Sequence, residues 1–168
     1  MSIYGYCRIS TAKQSIDRQI RNIKAEYPTV HIVQEAYTGT SIFRPEWLKL
    51  FRILKSGDTV VFDSVSRMSR NAEEGFALYE DLYHKGIRLV FLKEHHIDTE
   101  TYQKALSGSI AMTGTNVDFI LKGINEYLMA LAKEQIKLAF EQSEKEVADL
   151  HQRTREGLVT AKLNGKQV

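Results

Sequence analysis

Residues 59–70 read Thr-Val-Val-Phe-Asp-Ser-Val-Ser-Arg-Met-Ser-Arg, a short apolar run followed at once by serines and two arginines. An apolar run of this length, rich in β-branched residues, is typical of a buried strand. Residues 3–10, Ile-Tyr-Gly-Tyr-Cys-Arg-Ile-Ser, repeat the arrangement near the start of the chain. The sequence therefore predicts two buried strands whose ends each present serine and arginine side chains.

Strand and helix patterns alternate through the first part of the chain. The predicted strands are 3–7, 30–36, 59–62 and 87–92, and the helices predicted between them are 13–27, 45–55 and 72–85. Such alternation predicts an α/β fold with a mostly parallel central sheet and flanking helices, a three-layer arrangement. Residues 95–116 are rich in Thr, Ser and Gly, and this composition predicts a long loop.

A different pattern follows, because apolar residues recur at helical spacing and neither Gly nor Pro lies between Gly123 and Gly157. A helix over this span would be about 50 Å long, more than one small domain can cover. We expect part of its apolar stripe to pack on a second copy of the chain. The alternative is a helix broken near residues 142–145 that folds back on its own domain.

Three segments are therefore expected. They are an α/β domain (1–120), a long oligomerisation helix (121–163) and the start of a linker (164–168) to a further domain.

The composition of the chain is ordinary, with 168 residues, a net charge of +2 and one cysteine. Cys7 is expected in the core, and a lone cysteine excludes an internal disulfide. No apolar run approaches the ~20 residues of a membrane span, so a cytoplasmic protein is expected. The basic residues near the C-terminus suit contact with nucleic acid, or simply a solvated helix end. These are Arg153, Arg155, Lys162 and Lys166.

The two serine and arginine clusters predict one phosphate-handling site. If both strands are parallel, Arg8 and Ser10 lie at the same sheet edge as Arg67 and Arg70, where open α/β sheets bind ligands. Guanidinium groups can hold the oxygens of a phosphoryl transition state through paired hydrogen bonds. No histidine or acidic residue adjoins Ser10, which favours phosphodiester attack over acyl transfer. A serine alone would usually be a helix N-cap, but the joint placement favours function.

Three other residues are candidates for the same site. Gln19, on the first predicted helix, either reaches the pocket or is exposed. Arg44, in a loop, is either a further phosphate ligand or a surface residue. Asp63 either orients a guanidinium or caps the next turn. No His, Cys or Asp cluster has the spacing of a zinc or iron site, so no metal cofactor is expected.

Three short motifs resemble, in the same order, those of the serine recombinases, the resolvase/invertase family. They are Tyr6-x-Arg8-x-Ser10, Arg67-x-x-Arg70 and Arg153-Thr154-x-Glu156-Gly157. The resemblance covers essentially the whole chain, and the length of residues 99–125 is closer to large serine integrases and transposon-type members.

The resemblance implies a catalytic domain of a site-specific DNA recombinase. Ser10 would attack a DNA phosphodiester, form a 5′-phosphoserine link and release a 3′-hydroxyl, and the ends would be rejoined after strand exchange without ATP or metal. Arg8, Arg67 and Arg70 would stabilise the transition state. The positions of Tyr6, Gln19 and Arg44 match supporting residues of the family.

The implied partners are double-stranded DNA and further copies of the chain, as a homodimer that assembles into a synaptic tetramer. The long helix would supply the interface and bring Arg153 near the DNA backbone. The resemblance also implies a separate DNA-binding domain after the linker that begins at residues 164–168. A non-catalytic DNA-binding or assembly module on the same fold is the alternative, although such a module has no need of the serine and arginine set.

The chain departs from the family pattern at two places. Ser66 stands before Arg67 where resolvases usually have Asp, so the role of that aspartate must pass to another group, such as Asp63 or water. Val147 and Asp149 lie where an arginine is expected upstream of the Arg-Thr pair.

Overall fold

The computed structural model describes residues 1–9, 16–36, 44–107 and 110–165, without the side chain of Val147. In this part of the chain a parallel sheet has the order β2-β1-β3-β4. Its strands are β1 (Ile3–Arg8), β2 (His31–Glu35), β3 (Thr59–Phe62) and β4 (Arg88–Phe91). The helices are α1 (Asp17–Glu26), α2 (Pro45–Ile53), α3 (Val65–Met68), α4 (Ala72–His84), α5 (Thr99–Ser107) and α6 (Asp118–Leu163). The predicted α/β fold is confirmed.

The order of the strands places a crevice between β1 and β3. The chain moves from β1 to β2 on one side and then to β3 and β4 on the other, and ligands bind at the carboxyl ends where such a reversal occurs. The register pairs Tyr6 with Phe62, so the residues that follow these two leave the sheet side by side. The two predicted clusters therefore begin at one edge.

Apolar side chains cover both faces of the sheet. On one face Cys7 and Val61 pack with Ile23 of α1. On the other face Phe62 and Phe91 belong to a larger core that includes residues of α2, α4, α5 and α6. Burial raises the pKa of the Cys7 thiol to about 12, as expected for a core cysteine.

The long helix α6 is single and unbroken over 46 residues, which is roughly 69 Å. The predicted long helix is confirmed, and the alternative of a break near residues 142–145 does not occur. Among the described side chains of α6, only those of a middle section are buried, where Ile136, Ala139 and Phe140 pack with the core beneath α4 and α5. Gly75 of α4 allows this close approach, because a Cβ atom there would lie 2.5 Å from Cδ1 of Phe140.

The loop predicted over residues 95–116 is wrong for its first half. A 3-10 turn (His95–Ile97) and α5 occupy residues 95–107, and Ile97 and Tyr102 are buried. Polar side chains anchor this segment to β4, since the Thr99 hydroxyl accepts from Leu89 N at 2.9 Å and Asp98 accepts from Phe91 N at 2.7 Å. Thr99 and Asp98 therefore anchor this segment to a strand.

The predicted first helix began at residue 13, but residues 13–15 lie outside the described ranges, and the helix is described from Asp17. None of the described helices, α6 included, combines the length and apolar character that a membrane crossing requires.

Candidate active site

Where β1 and β3 end, the side chains of Arg8 and Arg67 each donate a hydrogen bond to a main-chain carbonyl of the other segment. Arg8 Nη2 donates to the carbonyl of Ser66 at 2.7 Å, and Arg67 Nη1 donates to the carbonyl of Arg8 at 3.0 Å. The Nε atoms of both arginines are buried and have no hydrogen-bond partner within the described ranges. Because buried donors are rarely left unpaired, these atoms indicate a place for an additional acceptor.

Gln19 fixes the main chain of Arg8. Its Nε2 donates to the Arg8 carbonyl at 2.8 Å, and its Oε1 accepts from Arg8 N at 3.1 Å. The side chain is 3% exposed, so the possibility that it is a surface residue is excluded. The paired hydrogen bonds hold the last residue of β1 in place. Gln19 thus reaches the predicted pocket through the backbone of Arg8.

Tyr6 and Arg44 form a second connected pair. The Tyr6 hydroxyl donates to Glu35 Oε2 at 3.1 Å and accepts from Arg44 Nε at 3.0 Å. Arg44 Nη1 donates to the carbonyl of Met68 at 2.6 Å, in the segment between the two arginines of the second cluster. The Arg44 guanidinium also lies over the ring of Trp47 at 5.2 Å. Arg44 is therefore half-buried within the site and is not an ordinary surface residue.

Glu35 is a further residue of the site that the sequence motifs did not indicate. This carboxylate ends β2, is 2% exposed, and accepts from Trp47 N at 2.9 Å at the start of α2 as well as from Tyr6. Residues 37–43 between β2 and Arg44 lie outside the described ranges. The sequence feature that points to Glu35 is its position as an acidic residue at the end of a strand that pairs with β1.

Arg70 differs from the other arginines of the site because it is exposed at the rim. Its charge nevertheless affects the interior. Burial, and then the positive charges of Arg44 and Arg70, lower the pKa of Arg8 to about 10. Arg8 therefore remains a cation at neutral pH, although the neighbouring charges disfavour it. An anion between these groups would relieve that repulsion.

Tyr6 is a neutral phenol in this site. Burial raises its pKa to about 12, although the nearby charge of Arg44 opposes the shift. The hydroxyl can therefore donate to Glu35 and accept from Arg44 at the same time. The Tyr6 hydroxyl therefore holds Arg44 in place while it keeps its own proton.

The remaining candidates are placed elsewhere or are not described. Ser10 and Lys166 lie outside the described residues. Arg153, Arg155 and Lys162 are exposed on α6, beyond its buried section. Asp63 does not cap a turn, since it is buried and accepts from Asn22. Across the part of the chain that is described, no group of three or more His, Cys, Asp or Glu side chains could hold a metal ion.

The sequence matches a known protein family over most of its length. The sequence matches the family described as "Resolvase, N terminal domain" over residues 3–137, from β1 into α6. The chain belongs to the resolvase family. This resolvase-family chain is a site-specific recombinase.

Individual relatives cover most of the chain. The transposon Tn21 resolvase of Escherichia coli is 27% identical over 165 residues, which are 95% of this chain and 87% of that protein. A resolvase of Clostridium perfringens strain 13 is 28% identical over 166 residues, covering 98% and 74% respectively. A crystal structure of a resolvase family site-specific recombinase from Streptococcus pneumoniae has 20% identity and a TM-score of 0.49, covering 96% of this chain and 98% of that one.

Proposed function

We propose that this chain cuts DNA with Ser10 as the nucleophile. The Ser10 oxygen attacks the scissile phosphorus, and the bond from phosphorus to the 3′ oxygen breaks. The serine hydroxyl loses its proton, the departing 3′ oxygen gains one, and a 5′-phosphoserine link remains. Attack by a 3′-hydroxyl reverses the step and rejoins the strand. One ester bond replaces another at each stage, so the step balances without an external energy source.

The observation that supports this proposal best is the pair of half-buried guanidinium groups of Arg8 and Arg67 at the ends of β1 and β3. Their positive charges suit the non-bridging oxygens of a phosphate, on which negative charge develops in the transition state. Both groups are already oriented by hydrogen bonds to main-chain carbonyls. Removing one such preorganised donor typically slows a reaction ~10²- to 10³-fold.

The other predicted residues support this pair in different ways. We assign Gln19 to holding Arg8, and Tyr6 to holding Arg44 against the segment that carries Met68. Arg70, exposed at the rim, is assigned to the phosphate of the DNA strand as it enters. The planar fork of arginine suits each of these phosphate contacts better than lysine would.

Ser66 provides a matched control for the nucleophile. It lies beside Arg67, and its hydroxyl is 2.7 Å from that of Ser64. We expect Ser10→Ala to abolish covalent protein–DNA adducts trapped by denaturation, and Ser66→Ala to retain them. The substrate is supercoiled DNA that carries the sequences flanking the protein's own gene. Adducts that persist in Ser10→Ala would refute the assignment, and DNA binding without adducts in the wild type would favour the non-catalytic module.

We propose further that a second copy of the chain covers the first half of α6, as a homodimer and then a synaptic tetramer. Phe119 is 83% exposed and Tyr127 is 65% exposed, and other apolar residues of residues 118–131 are exposed beside them. Contiguous apolar surface of this kind usually marks an interface. Sedimentation should show that Ile124→Asp lowers the oligomeric state, whereas Leu48→Asp, on exposed α2 surface, leaves it unchanged.

The basic residues of the second half of α6 are proposed to contact the DNA backbone. Arg155 and Lys162 are seven residues apart and share one helix face, whereas Arg153 projects from another face. Each phosphate contact contributes about 0.9 to the slope of log K against log salt. We therefore expect Arg155→Gln with Lys162→Gln to lower that slope by roughly 1.8. An unchanged slope would exclude these contacts.

A further inference from the structure

The short helix α3 is the common support of three arginines of the site. Its Ser66 carbonyl accepts from Arg8, and its Met68 carbonyl accepts from Arg44. Arg67, which is itself part of α3, donates from its side chain to the carbonyl of Arg8. The helix has four residues, too few to be stable by itself. The places of these guanidinium groups therefore depend on what holds α3.

A carboxylate from another part of the chain accepts a hydrogen bond from the start of α3. Glu94 Oε2 accepts from Val65 N at 3.0 Å. Ser64, the residue before α3, is of the type that usually accepts such a bond. Within the described ranges its hydroxyl does not do so, and it lies 2.7 Å from the hydroxyl of Ser66. Val65 is buried, so loss of the Glu94 acceptor would leave a buried donor unpaired, which is costly.

The main chain after β4 brings Glu94 to this place. Leu92 N donates to the carbonyl of Phe62 at 3.0 Å, and Lys93 N donates to that of Asp63 at 3.2 Å. These hydrogen bonds continue the pairing of β3 and β4 past the ends of both strands. The ammonium group of Lys93 also lies 3.3 Å from Asp63 Oδ2, which adds a link between the side chains. Glu94, the next residue, therefore reaches α3 from a firmly held segment.

Packing restrains α3 on its apolar side alone, where it belongs to the core. On another side a cavity of about 330 Å³ separates it from α6. The cavity is lined, among others, by Ser66, Arg67 and Glu94, and across from them by Gln142 and Ser143 of α6. A cavity offers few contacts that could fix the helix. The core therefore holds α3 on one side, and the hydrogen bond to Glu94 holds its start.

We propose that Glu94 is a positioning residue for recombination. It holds the start of α3, so that Arg67 and the Ser66 carbonyl, the partner of Arg8, keep their places around the scissile phosphate. This inference rests on the proposed function, because it assigns Arg8 and Arg67 to that phosphate. Glu94 acts as an acceptor for the main chain and needs no contact with the DNA. Its loss therefore slows the chemical step and leaves DNA affinity unchanged.

Three variants separate the acceptor from its charge and from general stability. Glu94→Ala removes the acceptor, whereas Glu94→Gln removes the charge and keeps an oxygen that can accept from Val65 N. Glu144→Ala is the matched control, because Glu144 accepts from the main chain at the start of α4, also at 3.0 Å, and α4 carries no arginine of the site.

The assay is the single-turnover rate of adduct formation by the full-length protein at saturating DNA. The substrate is an oligonucleotide that carries the cleavage site mapped with the wild type. DNA affinity and urea denaturation of each variant are measured in parallel.

We expect Glu94→Ala to slow adduct formation at least ~10-fold, since a displacement of about 1 Å in a positioned group can cost ~10²-fold. Glu94→Gln should keep most of the wild-type rate. Glu144→Ala should lower the urea midpoint to a similar extent and still react at the wild-type rate. Equal slowing in Glu144→Ala and Glu94→Ala would mean that stability alone sets the rate. That result, a Glu94→Gln protein as slow as Glu94→Ala, or a wild-type rate for Glu94→Ala, would overturn the proposal.

A double-mutant cycle with Arg67 gives an independent readout. If Glu94 acts on the phosphate through α3, Glu94→Ala should slow the reaction less in an Arg67→Ala background than in the wild type. Two effects that multiply in full would refute the positioning role. Ser10→Ala controls for the chemistry, since adducts in that variant would contradict the proposed function and not the role of Glu94.

Discussion

Replacement of Gly75 by alanine tests the packing of α6 on the catalytic domain. A Cβ atom at this position would lie 2.5 Å from Cδ1 and 2.6 Å from Cε1 of Phe140, and 3.1 Å from Cβ of Ser69. Carbon atoms in contact are normally about 3.5–4.0 Å apart, so the ring must retreat by about 1 Å. Phe140 is 1% exposed, which leaves it little room to move.

The expected magnitude is the difference between two effects. Alanine is favoured over glycine in a helix by ~1 kcal/mol. Overpacking of a dense core costs ~1–3 kcal/mol. Because the ring is enclosed, we expect Gly75→Ala to lower the free energy of unfolding by ~1–2 kcal/mol. Loss of the whole ring in Phe140→Ala, typically ~3–5 kcal/mol, sets the upper limit.

Urea denaturation measures this change directly, with the slope against denaturant unchanged. Gly157, on the second half of α6, provides a matched control because a Cβ atom there would meet nothing within 4 Å. Its alanine variant should be stabilised by up to ~1 kcal/mol. Adding Phe140→Leu to Gly75→Ala should recover part of the loss. A Gly75→Ala protein as stable as the wild type would refute this account of how α6 packs.

Three other predictions concern the site and its supports. Glu144 of α6 accepts a hydrogen bond from Ala72 N at 3.0 Å at the start of α4. In the same denaturation assay, Glu144→Ala should lower the free energy of unfolding by ~1 kcal/mol, and Glu144→Gln should retain most of the wild-type stability. Gln19→Ala should slow single-turnover adduct formation by at least ~10-fold with DNA affinity unchanged, because Arg8 loses two main-chain hydrogen bonds. Hydrogen bonds from the main-chain N–H groups of Ser2 and Lys55 lower the pKa of Asp58. The stability that this carboxylate contributes is therefore complete above its unfolded pKa of ~3.9 and is lost as pH falls below it. In Asp58→Asn, the free energy of unfolding should fall less steeply as the pH is lowered.

The sheet could be predicted because its strands are short apolar runs bounded by residues that cannot continue them. The predicted strand 59–62 has the same limits as β3, and the other strands differ from prediction by one residue at one or both ends. The approach of Arg8 to Arg67 also followed from sequence, since parallel strands deliver their ends to one edge. Local patterns were sufficient for these features.

Other features depend on long-range contacts that no local pattern reports. Thr99 and Asp98 anchor α5 to β4 through hydrogen bonds, and their polar character suggested a loop. Glu35 joins the site because β2 pairs with β1 and α2 begins beside it. The sequence left open whether Gln19 is buried or exposed, because its partner is the main chain of Arg8, which α1 approaches only in the folded protein.

The most direct test of the central claim identifies the side chain that becomes linked to DNA. Trypsin cuts after Lys and Arg, so Tyr6, Ser10 and Ser66 fall in the separate peptides 1–8, 9–13 and 56–67. Mass spectrometry of nuclease-treated adducts should find the nucleotide on Ser10 in peptide 9–13, with a 5′-phosphate link and a polymerase-extendable 3′-hydroxyl on the other DNA end. A nucleotide on peptide 1–8 or 56–67, or a 3′-phosphate link, would contradict the account.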